Sequence, residues 1–209
     1  MLLSNDTLVS FFVASCLLGL APGPDNLFVL AQSALRGKVA GLSVTLGLCT
    51  GLIGHTAAVA LGLAALLATS PAAFTALKFC GAAYLLWLAW QAFRASSTGT
   101  GTTEANLLSG WQLYRRGIIM NITNPKVSIF FLAFLPQFAD PARGSFSLQI
   151  LLLGGIFIAA TIMVFSGIAL LASFLGELFN HSPAAQRALN RSAGAVFVAL
   201  ALKLALSER

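Results

Sequence analysis

Six stretches of this chain, at residues 7–35, 39–68, 71–93, 117–138, 146–178 and a last one ending near 206, are apolar over lengths close to what a membrane crossing requires. A helix needs roughly 20 residues to cross about 30 Å of hydrocarbon. Lipid cannot satisfy backbone N–H and C=O groups, so such runs must close their hydrogen bonds within themselves, which for an open chain means α-helix. The last run is the weakest, since from Ser192 to Leu206 it carries Lys203 and covers only about 22 Å at helical rise. Ser182 and Pro183 read as an N-cap and a proline at the first helical position, with residues 184–190 as an interfacial turn leading in. Lys203 is expected to snorkel to the far side.

The composition agrees, being 58% hydrophobic and only 9% charged, too apolar for a soluble surface. The expected class is therefore an all-α membrane protein with six transmembrane helices. The net charge of +6 is scattered singly or in pairs between apolar runs, so it argues for topology rather than nucleic-acid binding. With loops assigned alternately, one side receives Arg36, Lys38, Arg94, Arg115, Arg116, Arg187 and Arg191, and the other Lys78, Arg143, Lys203 and Arg209. The positive-inside rule then places both termini outside the cytoplasm. Trp87, Trp90 and Trp111 fall near the run ends, where amphipathic rings favour the headgroup level. The opening MLLSND carries Asp6 and no positive n-region, so a helix is expected there rather than a cleaved leader.

Two of the runs are interrupted in the middle. Ala21-Pro22, Gly23-Pro24 and Asn124-Pro125 each break a helical ladder, because proline has no N–H and biases the preceding residue away from helix. Within a bilayer such breaks persist only where they are buried in protein or line a cavity, and in transporters with inverted repeats they form substrate and ion sites. Asp25 and Lys126 sit beside the two breaks. Each charge costs on the order of 3 kcal/mol near the bilayer centre, roughly 6 for both unpaired, so a function is expected of them. The structural alternative is an inert buried ion pair fixing the two halves together. Asn26, Gln32, Asn121, Thr123 and Asn124 add uncharged hydrogen-bonding groups that suit a polar solute, or equally repair the backbone at the prolines.

His55 lies four and eight residues after Gly51 and Gly47, and is either a titrating group in transport or a packed, hydrogen-bonded histidine. The glycines at 37, 41, 47 and 51 give overlapping small-xxx-small spacings that admit a second helix from the same chain or from another copy, so a homodimer is among the expectations. Cys16, Cys49 and Cys80 stand alone, without metal or disulfide spacing, and read as small packing residues.

Between Ser96 and Glu104 the sequence reads SSTGTGTTE, a flexible linker almost at mid-chain. The halves on either side match weakly: GPDNLFVLAQSAL from Gly23 lies over NPKVSIFFLAFLP from Asn124 without a gap, Pro24 on Pro125 and Asp25 on Lys126. The expected organisation is a first three-helix repeat at residues 1–95, a cytoplasmic linker at 96–105 and a second, inverted repeat at 106–209, with helices 1 and 4 broken. The candidate substrate-binding and coupling residues are Gly23, Pro24, Asp25, Asn26, Gln32, His55, Asn121, Asn124, Pro125 and Lys126.

The segments APGPDNLFVLAQSALRGKVAG from Ala21 and NITNPKVSIFFLAFLPQFADP from Asn121 resemble the two signature segments of the LysE/RhtB family of amino-acid exporters, and the likeness covers nearly the whole chain. The resemblance implies export of an amino acid or related small amine across the bacterial inner membrane, driven by the electrochemical gradient. It implies no cofactor, and the chain accordingly has no G-x-x-x-x-G-K-[ST] phosphate loop. The expected partners are an amino-acid substrate, protons and the lipid bilayer. Three other classes fit the residues less well. An aspartyl intramembrane protease needs two carboxylates in one site, and only Asp25 lies deep in a run. A serine version pairing Ser166 with His55 lacks a nucleophile-elbow pattern. A passive channel or an assembly subunit finds no filter-like ring.

Overall fold

The computed structural model describes residues 2–63, 71–94, 108–172 and 183–206, which are almost wholly helical and contain no strand. The linker expected at 96–105, the far ends of the second and fifth apolar runs, and the N-cap expected at Ser182 lie outside the described residues.

Helix α1 (Asn5–Leu20) starts at Ser4, whose hydroxyl accepts from the Thr7 N–H at 3.2 Å, and holds Asp6 in its first turn, at the positive end of the helix dipole. It stops where Pro22 and Pro24 remove two N–H groups from the ladder. Helix α2 (Pro24–Arg36) restarts with proline at its first position and turns away by 63°. Helix α3 (Lys38–Ala58) runs on into a π-helical turn at Val59–Leu63, and α4 spans Pro71–Arg94.

The second half repeats the pattern. Helix α5 (Gly110–Thr123) breaks at Asn124 and continues, bent by 52°, as α6. That helix is α-helical over Pro125–Ile129, π-helical over Phe130–Phe134 and 3-10 over Leu135–Phe138. A 3-10 turn at Pro141–Arg143 leads to α7 (Phe146–Leu170), and α8 spans Pro183–Leu206.

Two boundaries differ from expectation. Helix α5 begins at Gly110, seven residues before the apolar run, because Ser109 and Gln112 form a reciprocal capping box. Its break therefore lies in the middle of the bent pair. Residues 184–190 are not an interfacial turn: α8 is one helix of 24 residues, about 36 Å, so Lys203 lies in its last turn. Among the described residues, α3 with its π turn and α7 are long and apolar enough to cross a membrane, and the number is four if each of the bent pairs α1–α2 and α5–α6 is one span. Helices α4 and α8, of 24 residues each, also have the length for a crossing.

Polarity is inverted relative to a water-soluble fold. Leu46, Ile53, Leu61, Leu151, Met163 and Leu170 lie exposed on the outside, while Asp25, Asn26, Gln32, Asn121, Asn124 and Lys126 are buried. This is the arrangement of a multi-pass membrane protein, whose solvent is lipid. Trp87, Trp90 and Trp111 are exposed, with the Arg94 guanidinium 4.0 Å from the Trp90 ring centre at the end of α4. Cys49 is buried as expected of a packing residue, but Cys80 lies on the surface.

Glycines set the closest helix contacts. A Cβ added at Gly47 would lie 2.0 Å from the Tyr114 carbonyl oxygen, and one at Gly117 2.4 Å from that of Val44, so α3 and α5 meet backbone to backbone. Gly41 faces Ser33 on α2, and Gly51 faces Asn121 on α5. Helices α4 and α8 pack antiparallel, Gly194 against the Phe93 ring and Gly81 close to Leu204. Two apolar clusters result. One gathers Phe11, Leu18, Leu52, Phe130, Phe134 and Phe157, the other Val29, Val44, Leu48, Leu113 and Phe165.

Candidate functional site

The prolines dictate which backbone groups need outside partners. In an uninterrupted helix the Leu18 carbonyl would accept from residue 22 and the Asn121 carbonyl from residue 125, and both are prolines. The structure supplies replacements from side chains. The Lys126 ammonium donates to the carbonyls of Ala21 at 3.0 Å and Leu18 at 3.4 Å, and the Asn26 side-chain amide donates to the Gly19 carbonyl. At the second break the Asn121 carbonyl accepts from the Asn124 N–H at 3.1 Å, and His55 Nε2 lies 3.3 Å from it.

Asn124 joins the halves. Its side-chain oxygen accepts from the Lys126 N–H at 3.0 Å, capping α6, while its amide nitrogen donates to Asp25 Oδ2 at 2.9 Å. The repeat alignment set Asp25 opposite Lys126, but no ion pair within 4.0 Å joins them among the described residues. Lys126 reaches past the carboxylate to the broken end of α1, a stack of carbonyls that is the negative end of that helix. Gly23 permits this, since a Cβ there would lie 3.1 Å from Lys126 Nζ.

Of the ten candidate residues, Gly23, Pro24, Asp25, Asn26, Asn121, Asn124, Pro125 and Lys126 gather at the two breaks, and His55 reaches the second through Asn121. Gln32 stands apart, buried two turns beyond Asp25 on α2. Thr123 is exposed and bonds back to its own helix at the Ile119 carbonyl. Among the described residues Ser166 has no histidine partner, since His55 Nε2 faces the Asn121 carbonyl.

A small cavity of about 20 Å³, room for one water, lies at the junction of the two apolar clusters. Asp25, Asn121 and Lys126 line it together with Leu18, Leu52 and Phe157 from one cluster and Leu48 and Phe165 from the other. The polar atoms left without partners beside it share one character. Asp25 Oδ1, Asn26 Oδ1 and Asn121 Oδ1 are all acceptors. The buried hydroxyls of Ser15, Ser33, Thr45 and Thr56 are satisfied by carbonyls four residues earlier and offer nothing to a ligand. A hydrogen-bond-donating cationic group fits this surplus of acceptors. No group of three or more metal-ligating side chains occurs among the described residues.

Three contributors escaped the sequence reading. Thr161 on α7 lines the same cavity, from a helix that the sequence reading linked to neither break. The carbonyls of Leu18 and Ala21 are acceptors that side-chain patterns do not reveal. Gln149, fully buried, holds the loop after α6 by accepting from the Asp140 N–H at 2.9 Å and donating to the Asp140 carbonyl at 2.8 Å.

The family model described as LysE type translocator matches residues 16–208. The chain is 35% identical to a homoserine/homoserine lactone efflux protein of Salmonella typhimurium, over 94% of each chain. It is 34% identical to an uncharacterized membrane protein of Vibrio cholerae, over 96% of this chain and 97% of the relative. A leucine efflux protein of Salmonella choleraesuis is 29% identical over 94% of this chain and 93% of its own. No solved structure matches.

Proposed function

The chain belongs to the LysE type translocator family, a family of transporters and not of enzymes, and on that premise we propose that it is a secondary exporter of an amino acid or related small amine across the bacterial inner membrane. The observation that carries the proposal is the meeting of the two breaks, one from each half of the chain. Asn124 of the second half donates to Asp25 of the first, and Lys126 holds the broken end of α1.

The substrate ammonium is taken by the unpartnered oxygens of Asp25 and Asn121, and its carboxylate by the Lys126 ammonium together with the positive end of α6. Admission of substrate draws Lys126 away from the Leu18 and Ala21 carbonyls, an exchange of partners that couples occupancy to the bend in α1–α2. Asp25 is the proton carrier, neutral when it faces neither substrate nor lysine. The architecture proposed is six crossings in two inverted three-helix repeats, residues 1–95 and 106–209, joined by the 96–105 linker and rocking about the site, with both termini outside the cytoplasm. A homodimer would use faces other than Gly41, Gly47 and Gly51, which are occupied within the chain.

The test is the amino-acid profile of the medium around cells producing wild type or Asp25→Asn at equal membrane levels. One amino acid is expected to accumulate with wild type only. Undiminished export by the variant would remove Asp25 from the mechanism, and export that survives collapse of the proton gradient would favour a channel.

A further inference from the structure

A second, larger cavity of about 400 Å³ opens where the start of α1 and the end of α8 come together. Asp6 and Ser10 of α1, Phe138 at the end of α6, Asp140 and Arg143 of the following loop, and Lys203 of α8 all line it. Its volume lies in the range of small-molecule sites.

The charges inside it are not equivalent. Arg143 Nε lies 3.3 Å from Asp140 Oδ2, so these two neutralise each other. Asp6 and Lys203 form no ion pair among the described residues, with each other or with that pair. Lys203 instead sits 4.1 Å from the centre of the Phe138 ring. One carboxylate and one ammonium therefore face the same open volume without a counter-ion among the described residues. A zwitterion answers both, whereas a simple anion or cation would be opposed by one of them.

The position adds a second argument. The Phe138 ring meets Phe11 edge-on at 5.0 Å, and Phe11 lies 6.1 Å from Phe130, centroid to centroid. Ser10 stands on one side of this aromatic layer and Leu18, a wall of the Asp25 cavity, on the other, eight residues or about 12 Å along α1. Both cavities thus lie along α1 and α6, separated by phenylalanine rings.

The geometry points to a second binding site in this outer cavity, one that takes an amino-acid zwitterion through Asp6 and Lys203 after it has passed the phenylalanine layer. The order of passage rests on the export reading of the Asp25 site; the zwitterion site itself does not.

The test places a reporter cysteine at Ser10→Cys in a full-length chain with Cys16, Cys49 and Cys80 replaced by alanine, and measures its labelling in intact cells by a membrane-impermeant maleimide. L-Homoserine or L-leucine at millimolar concentration is expected to slow labelling, while N-acetyl-L-leucine and L-leucinamide, each lacking one charge, are not. Asp6→Asn or Lys203→Gln should raise the protecting concentration about tenfold or more, the worth of one charge-assisted contact. Equal labelling with every solute overturns the site, and so does protection unchanged in both variants. Failure to label from outside overturns the exit assignment. Export by wild type without protection sinks this inference alone, whereas protection without export of any amino acid sinks the export reading and leaves the site standing.

Discussion

At the scale of single residues, the breaks are held by a few side chains that each serve a specific carbonyl. Asn26→Leu keeps the volume but strips the donor from the buried Gly19 carbonyl. Leaving that group unsatisfied should cost about 1–3 kcal/mol, read as a lower unfolding temperature in detergent. Asn124→Leu removes two contacts at once, the cap on α6 and the donor to Asp25. Loss of the cap alone is worth about 1 kcal/mol. The larger expected effect is on export, a fall of about tenfold or more in initial rate, because the link between the two breaks is gone. Export at the wild-type rate by folded Asn124→Leu would show that this link is only structural.

At the scale of helices, backbone contact between α3 and α5 makes glycine position decisive. Gly47→Ala puts a methyl 2.0 Å from the Tyr114 carbonyl oxygen, which can be relieved only by moving one helix. It should destabilise the fold by about 1–3 kcal/mol. Gly54→Ala, on the same helix with open space around it, should be neutral in the same thermal assay. Gly51→Ala lies between these cases. Its methyl meets the Asn121 side chain at 2.6–2.7 Å, so the site should distort, and export should fall more than stability does. The small-xxx-small spacing announced these approaches, but not which helix would fill them. The π-helical turns at Val59–Leu63 and Phe130–Phe134 left no mark in the apolar pattern, because a π turn shifts the register within residues that are apolar on every side.

For the molecule as a whole, the phenylalanine layer stands between the two cavities. Phe11, Phe130 and Phe134 are fully buried, and Phe130 also packs on Phe157 of α7 at 5.1 Å. The proposed alternating access would require these rings to part in every cycle. Combining Phe11→Ala with Phe138→Ala should weaken the closure and produce amino-acid leak in both directions, measured as uptake of labelled amino acid in de-energised cells. Uptake no faster than in wild type would mean that the layer is not the barrier.

The apolar runs and the prolines already specify an all-helical membrane fold and the positions of its two breaks. Runs of twenty apolar residues admit no structure but helix in lipid, and prolines beside Asp25 and Lys126 mark helix breaks whatever the surrounding packing, because a missing N–H and a buried charge are properties of single residues. The tertiary structure decided who partners whom. The alignment set Asp25 against Lys126, yet Asn124 reaches the carboxylate while the lysine goes on to the Leu18 and Ala21 carbonyls. Residues 184–190 belong to α8 rather than to a turn, and Thr161 and Gln149 acquired roles only when α7 came against the breaks and the loop. A backbone carbonyl has no letter in the sequence, and its need for a donor appears only when the helix that should have satisfied it ends.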